Sequence, residues 1–163
     1  MQQIERYENP KICRACAKKH TTCCQSSPGI ASPKDFRRNH KSLEENLYVA
    51  LKSGLWAIDW YAASPIRYFI RPAIKGSEGE LWHGAWGGEC VFLTESGCKF
   101  LYEERPEGCR VLIPSRKSHC GAVGEWSKGY KKHGADLWLL YKKLVEKVSD
   151  RIAVERTKDA TIS

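Results

Sequence analysis

The sequence predicts a small, helix-dominated α+β fold with a short β-hairpin and an irregular, cysteine-rich centre. The length of 163 residues suits one domain. Two long stretches space their apolar residues at helical intervals, and short aromatic runs that end at proline or glycine lie between them. Leu, Ile, Val and Phe number only 33, which is near the lower limit for an unaided core. The eight cysteines are therefore expected to help hold the fold.

We expect residues 1–163 to form a single domain with its core over about 10–150 and a flexible tail over 151–163. The first helix is predicted over about 34–53. Ser32 is a suitable N-cap, Pro33 occupies the tolerated first position, and Asp35 brings a carboxylate to the first turn. Gly54 is a natural end for this helix.

The next region is rich in aromatic side chains. Residues 55–61 and 67–71 are short, apolar runs bounded by proline, and they fit either strands or extended segments, since periodicity cannot decide at this length. Residues 75–88 contain five glycines and are expected to form a loop. A hairpin follows, with strands over 90–93 and 98–102 and a turn between them.

A second, long amphipathic helix is predicted from about Ala122 to Ser149, followed by a frayed end after residue 150. Gly129 and Gly134 weaken this helix, each by up to about 1 kcal/mol relative to alanine.

The net charge of +8 suggests nucleic acid as a partner. However, the excess is +4 over 1–60, +1 over 61–120 and +3 over 121–163, without a concentrated basic stripe. A mildly basic surface is the better description, so nucleic acid is not the favoured partner and a protein substrate stays open.

The chain has no run that approaches the about 18–20 apolar residues of a membrane span, and its first residues, MQQIERYENPKIC, lack the apolar region of a secretory signal. We therefore expect a cytoplasmic protein without a membrane partner. Cytosolic thiols are kept reduced, so its cysteines point to metal binding more than to disulfides.

The cysteines form two blocks of four. A pair spaced C-x2-C can chelate one metal from a tight turn, with zinc or the irons of an iron–sulfur cluster as the acceptor. Adjacent cysteines in extended backbone point to opposite sides, so the Cys-Cys pair serves two sites, or one sulfur binds and the other packs. The candidate metal ligands are Cys13, Cys16, Cys23, Cys24, Cys90, Cys98, Cys109 and Cys120.

From Cys13 to Cys120 the chain resembles the CxxCxxCC cysteine-cluster family, also called YkgJ-like, whose members are described as zinc- or iron-chelating proteins with eight cysteines. The order is C-x2-C-x6-CC, with a spacer one residue longer than in the family, then C-V-F-L-x3-G-C-K-F-L-Y and E-R-P-x2-C-R. The companions that make the pattern specific are Phe92-Leu93, Gly97-Cys98, Tyr102 and Arg105-Pro106.

The resemblance implies a metal centre that clamps the cysteine-rich region. A similar branch, flagellin lysine methylase, is thought to hold a [4Fe-4S] cluster, which favours iron–sulfur over zinc by analogy. The first hypothesis is a metal-binding cysteine-cluster protein. The alternatives are a cluster-dependent modifying enzyme that resembles this methylase, and a zinc-stapled nucleic-acid-binding module, so enzymatic activity stays open.

Two further groups of side chains have alternative interpretations. Arg105 and Arg110 either neutralise thiolates or pair with nearby glutamates, or they form an anion site beside the metal. The tryptophans and Tyr61 over 55–86 are expected to be mainly core, but they could stack a substrate if they were exposed together.

Overall fold

The computed structural model describes residues 27–85, 87–113 and 121–162. The prediction of a small α+β fold with more helix than strand and a short hairpin is confirmed. The α-helices of these ranges are α1 (Leu43–Lys52), α2 (Glu107–Arg110), α3 (Tyr130–Leu137) and α4 (Lys142–Ile162). Their strands pair as three two-stranded antiparallel sheets: β1 (Trp56–Tyr61) with β2 (Arg67–Pro72), β3 (Leu93–Thr94) with β4 (Gly97–Cys98), and β5 (Leu112–Ile113) with β6 (Gly121–Ala122).

The helix predicted over about 34–53 is wrong as one continuous element. A 3-10 turn, Pro33–Phe36, starts as expected, since the Asp35 carboxylate accepts from the Ser32 amide at 2.8 Å. Helix α1 begins after its N-cap, Ser42, whose hydroxyl accepts a hydrogen bond from the Glu45 amide. The side chain of Asn46 donates to the Phe36 carbonyl at 2.8 Å, so a side chain satisfies the backbone group at which the first turn ends.

The aromatic runs are the two strands of the longest hairpin. The register pairs Ile58 with Ile70, and both side chains are fully buried. Ala31 adds an antiparallel bridge to β2, and Trp82 adds a parallel bridge to β1. The chain before and after the hairpin therefore extends this small sheet at its two edges.

The hairpin predicted over 90–102 is present, but its strands are shorter than expected. It consists of β3 and β4, with Leu93 opposite Cys98 and Thr94 opposite Gly97. Gly97 has φ +111°, a conformation that favours glycine. The Thr94 hydroxyl donates to the Gly97 carbonyl at 2.7 Å and ties the turn.

The single helix predicted over about 122–149 is wrong. The chain forms a 3-10 segment, Gly124–Lys128, then α3, a 3-10 turn, Leu139–Tyr141, and finally α4. Trp138 separates α3 from this turn, and its indole donates to the Ala31 carbonyl at 2.7 Å in the buried core. The helix α3 therefore ends at a residue that is held by a tertiary hydrogen bond.

The frayed end expected after residue 150 is instead helical through Ile162. Ile152 is buried, which anchors α4 beyond its midpoint. The carboxylate of Glu155 accepts from Tyr48 at 2.6 Å and from Lys52 at 2.9 Å, both on α1. These contacts hold the last turns of α4 against the domain.

The main core lies between α1, the β1–β2 hairpin, α3 and α4. A smaller cluster contains Cys90, Phe92 and Leu93. The rings of Trp56 and Phe92, 5.5 Å apart, join the two. None of the helices in the described ranges is both long and apolar enough to cross a membrane.

Candidate metal centre

Three of the eight predicted ligands belong to the described part of the chain. They are Cys90, Cys98 and Cys109. The other five lie outside the described residues: Cys13, Cys16, Cys23, Cys24 and Cys120.

Cys90 lies where the loop after β2 returns to the sheet. It forms an antiparallel bridge with Ile74, and the next residue, Val91, donates its amide to the Ala73 carbonyl at 3.0 Å. The thiol is free and buried. The backbone thus fixes this sulfur inside the smaller apolar cluster.

The surroundings of the Cys90 sulfur act on its charge in opposite directions. Burial raises the pKa of the thiol to about 11, while amide hydrogen bonds from Phe92 and Leu93 and the nearby Lys75 lower it. Burial outweighs these lowering effects, so the Cys90 thiol keeps its proton at neutral pH.

The next cysteine along the chain, Cys98, affects the pKa of the Cys90 thiol. Its negative charge contributes to the raised pKa of Cys90. Cys98 lies on β4 opposite Leu93, at the end of the tight turn, and its thiol is free and half-buried. Of these two thiols, that of Cys90 is buried and that of Cys98 is partly accessible.

Cys109 lies on α2 and is in contact with the start of the described chain. A Cβ built on Gly29 would lie 2.0 Å from the Cys109 sulfur and 3.0 Å from its backbone nitrogen. The neighbouring Gly108 donates its amide to the Ile30 carbonyl at 2.9 Å. Only glycine at position 29 allows so close an approach.

Asp35 connects α2, the helix of Cys109, to the 3-10 turn Pro33–Phe36. Its carboxylate is almost entirely buried and accepts from the Glu107 amide at 2.8 Å and from the Arg110 guanidinium at 3.0 Å. Arg110 also donates to the Arg105 carbonyl at 3.0 Å. The expectation that Arg110 pairs with neighbouring glutamates is corrected, because the acid that it pairs with lies 75 residues away.

The donor chemistry of the Cys90–Cys98 pair fits a thiophilic metal such as zinc or the iron of a cluster. Within residues 27–85, 87–113 and 121–162, no three His, Cys, Asp or Glu side chains are grouped to hold a metal ion.

A buried polar network was missed by the sequence analysis. Arg71 and Asp59 are both fully buried and share an ion pair of 2.9 Å. The guanidinium also donates to the His83 carbonyl at 2.8 Å and lies 2.9 Å from His83 Nδ1. Because arginine only donates, Nδ1 is the acceptor and His83 carries its proton on Nε2. The alternation in β1 and β2 gave no signal for this network, since both charged residues lie within apolar runs.

The tryptophans divide between core and surface. Trp56 packs in the core, whereas Trp60 and Trp82 are each more than a third exposed. The Trp82 indole is already bonded to the Ser149 hydroxyl at 2.6 Å. Trp86 lies outside the described residues.

Many basic side chains in the described ranges are engaged in ion pairs. The pairs include Lys52–Glu155, Lys75–Glu89, Lys128–Glu125, Lys132–Asp136 and Lys147–Glu44. This pairing gives no support to a contiguous basic surface for nucleic acid.

The chain matches no protein-family model, no curated protein and no solved structure. The resemblance to the cysteine-cluster family therefore depends on the cysteine pattern and its companion residues, and it stays a prediction.

Proposed function

We propose that this chain is a metal-binding protein of the cysteine-cluster kind, in which cysteine thiolates hold a [4Fe-4S] cluster or zinc. The single observation that carries the proposal is the environment of Cys90. Its thiol is free and buried beside Phe92 and Leu93, and the hairpin that follows places Cys98 opposite Leu93.

A thiolate at this buried position needs a compensating positive charge. Two amides stabilise a thiolate, yet burial raises the pKa of Cys90 to about 11. A bound metal cation reconciles the two effects, because a coordinating thiol loses its proton outright. Amide hydrogen bonds to sulfur also tune iron–sulfur clusters.

The proposed ligands are the cysteines of both blocks, as the family resemblance implies. A reducing compartment, the cytoplasm, agrees with the free thiols of Cys90 and Cys98. The resemblance favours [4Fe-4S] over zinc. Either group would add to the folding energy of a chain with few aliphatic residues, by about 10–16 kcal/mol apparent in zinc-finger peptides.

Metal content is the test, measured on wild type, Cys98→Ser and the control Glu95→Ala. Glu95 is exposed in the same turn, so its replacement keeps the hairpin and leaves the thiols in place. We expect metal in wild type and Glu95→Ala, and a clear loss in Cys98→Ser. Equal metal content and equal melting temperature in all three proteins would overturn the proposal.

A further inference from the structure

Two arginine side chains from distant parts of the chain share one buried carboxylate. Arg38 Nη2 lies 2.9 Å and Arg110 Nη2 lies 3.0 Å from the same oxygen, Oδ1 of Asp35. The Arg105 carbonyl also accepts from both, from Arg38 Nη2 at 3.1 Å and from Arg110 Nε at 3.0 Å. We propose that this arginine pair, Arg38 and Arg110, binds a phosphate group, either as free phosphate or as a small phosphate monoester.

Asp35 holds the arginine pair in place. Its Oδ2 accepts from the backbone amides of Ser32 and Glu107, each at 2.8 Å, while Oδ1 accepts from the two guanidiniums. Only 6% of the Asp35 side chain is exposed. With both oxygens occupied and buried, the carboxylate is a fixed support that keeps two guanidiniums next to each other.

The positive charge of the arginine pair is only half compensated by ion pairs. Within the described ranges, Asp35 is the one acid that forms an ion pair with Arg38 or Arg110. Arg37, which precedes Arg38, adds another positive charge. Its guanidinium donates to the Tyr141 hydroxyl at 2.9 Å and pairs with no carboxylate of a described residue. This surplus of positive charge favours an anion from solution as a ligand.

Both guanidiniums also keep hydrogen-bond donors that no described residue uses. Arg38 donates only through Nη2, and Arg110 donates through Nε and Nη2. Nε and Nη1 of Arg38 and Nη1 of Arg110 therefore have no acceptor in the described part of the chain. The Arg38 side chain is 37% exposed and that of Arg110 is 24% exposed. Solvent thus reaches the two arginines but hardly reaches the carboxylate that holds them.

The number of these donors favours phosphate over a carboxylate. Three nitrogens are available, and a phosphate monoester has three terminal oxygens to accept from them, whereas a carboxylate has two. A phosphate monoester also carries more than one negative charge at neutral pH. The Arg105 side chain is not part of the site, since its guanidinium lies over the Tyr102 ring and its Nε donates to the Phe100 carbonyl. None of the groups in the site is a thiol, so the inference does not rest on the proposed metal binding.

The test is calorimetric titration at constant ionic strength with inorganic phosphate, with glycerol phosphate and with acetate. Wild type is compared with Arg38→Gln and with the control Arg37→Gln, which removes the same charge from the adjacent residue but leaves the arginine pair intact. We expect saturable phosphate binding to wild type and Arg37→Gln, and binding weaker by at least about tenfold in Arg38→Gln, because hydrogen bonds from a charged donor are lost. Tighter binding of glycerol phosphate than of inorganic phosphate would identify a monoester as the ligand.

Three results would overturn the inference. The first is wild type that binds neither phosphate probe saturably. The second is equal weakening by Arg37→Gln and Arg38→Gln, because the general surface charge would then explain the binding. The third is acetate that binds as tightly as phosphate.

A further variant separates the geometry of the guanidinium from its charge. Arg38→Lys keeps the positive charge but loses the planar fork of donors. Asp35 keeps its pair with Arg110 in every variant of Arg38, so we expect a folded protein, which its melting temperature checks. Phosphate should bind Arg38→Lys less tightly than wild type. Binding as tight as that of wild type would also overturn the inference, because charge alone would then suffice.

Discussion

The sulfur of Cys109 lies where a side chain of residue 29 would have to be. A Cβ on Gly29 would come within 2.0 Å of it, far inside any van der Waals contact. The Ile30 carbonyl accepts from the Gly108 amide beside this contact. Cys109, a predicted metal ligand of the second cysteine block, thus packs against Gly29. Gly29 lies five positions after Cys24, the last cysteine of the first block.

Gly29→Ala is expected to destabilise the protein because its methyl group would displace the Cys109 sulfur. Overpacking of this kind costs about 1–3 kcal/mol. Chemical unfolding of the variant measures the loss. Gly121→Ala is the matched control, since none of the described residues has an atom within 4 Å of a Cβ at that position. An equal effect of both substitutions would contradict the contact.

Asp59→Ala is expected to be among the most destabilising substitutions in the chain. It leaves the Arg71 guanidinium buried without its counter-ion, which costs about 3–5 kcal/mol. The double variant Asp59→Ala/Arg71→Met should recover part of that loss, because the uncompensated charge is gone. Urea unfolding of the single and double variants checks both expectations.

The control for this prediction is Glu125→Ala, which breaks the largely exposed pair with Lys128. An exposed pair contributes about 0–1 kcal/mol. If Asp59→Ala lowers the free energy of unfolding no more than Glu125→Ala does, the charge of Arg71 is stabilised by other groups.

Glu155 should make the contact between α1 and α4 dependent on pH. Hydrogen bonds from Tyr48 and Lys52 lower the pKa of its carboxyl from 4.5 to about 2. Because the folded-state pKa is depressed, the stabilisation is full above pH 4.5 and is lost as the pH falls toward 2. Wild type should therefore melt at a higher temperature than Glu155→Gln at pH 7, and the gap should close in acid.

The control for the pH series is Asp159→Asn, which removes one negative charge from the exposed last turns of the same helix. Its difference from wild type should not follow the same course. A gap between wild type and Glu155→Gln that stays constant from pH 7 to about pH 2 would rule out the assigned role of Glu155.

Metal removal should destabilise the wild-type protein more than any single surface substitution does. Metal that binds the folded chain adds its binding energy to folding. A chelator should lower the melting temperature of wild type and of Glu95→Ala, but change that of Cys98→Ser much less. A melting temperature that is unaffected by chelator in metal-loaded wild type would mean that the metal is peripheral to the fold.

The elements that local chemistry specifies were predictable from the sequence. Each of three features follows from residues within four positions of one another. They are the beginning of the 3-10 turn at Ser32, the end of α1 just before Gly54, and the turn before Cys98. These signals need no knowledge of the rest of the fold.

The features that depend on distant residues could not be predicted. The break at Trp138 needs the Ala31 carbonyl, 107 residues earlier, as the indole's acceptor. The burial of Arg71 needs Asp59 and His83. In the same way, the spacing of the cysteines gave no sign of the contact between Cys109 and Gly29, which lie 80 residues apart.

The most direct test of the central claim is metal analysis, with a visible absorption spectrum, of wild-type protein purified without oxygen. The account predicts bound metal: a brown protein with about four irons per cluster, or a colourless one with zinc. A colourless chain that folds stably without iron or zinc would contradict it, since the Cys90 and Cys98 thiols would then be ordinary parts of the core.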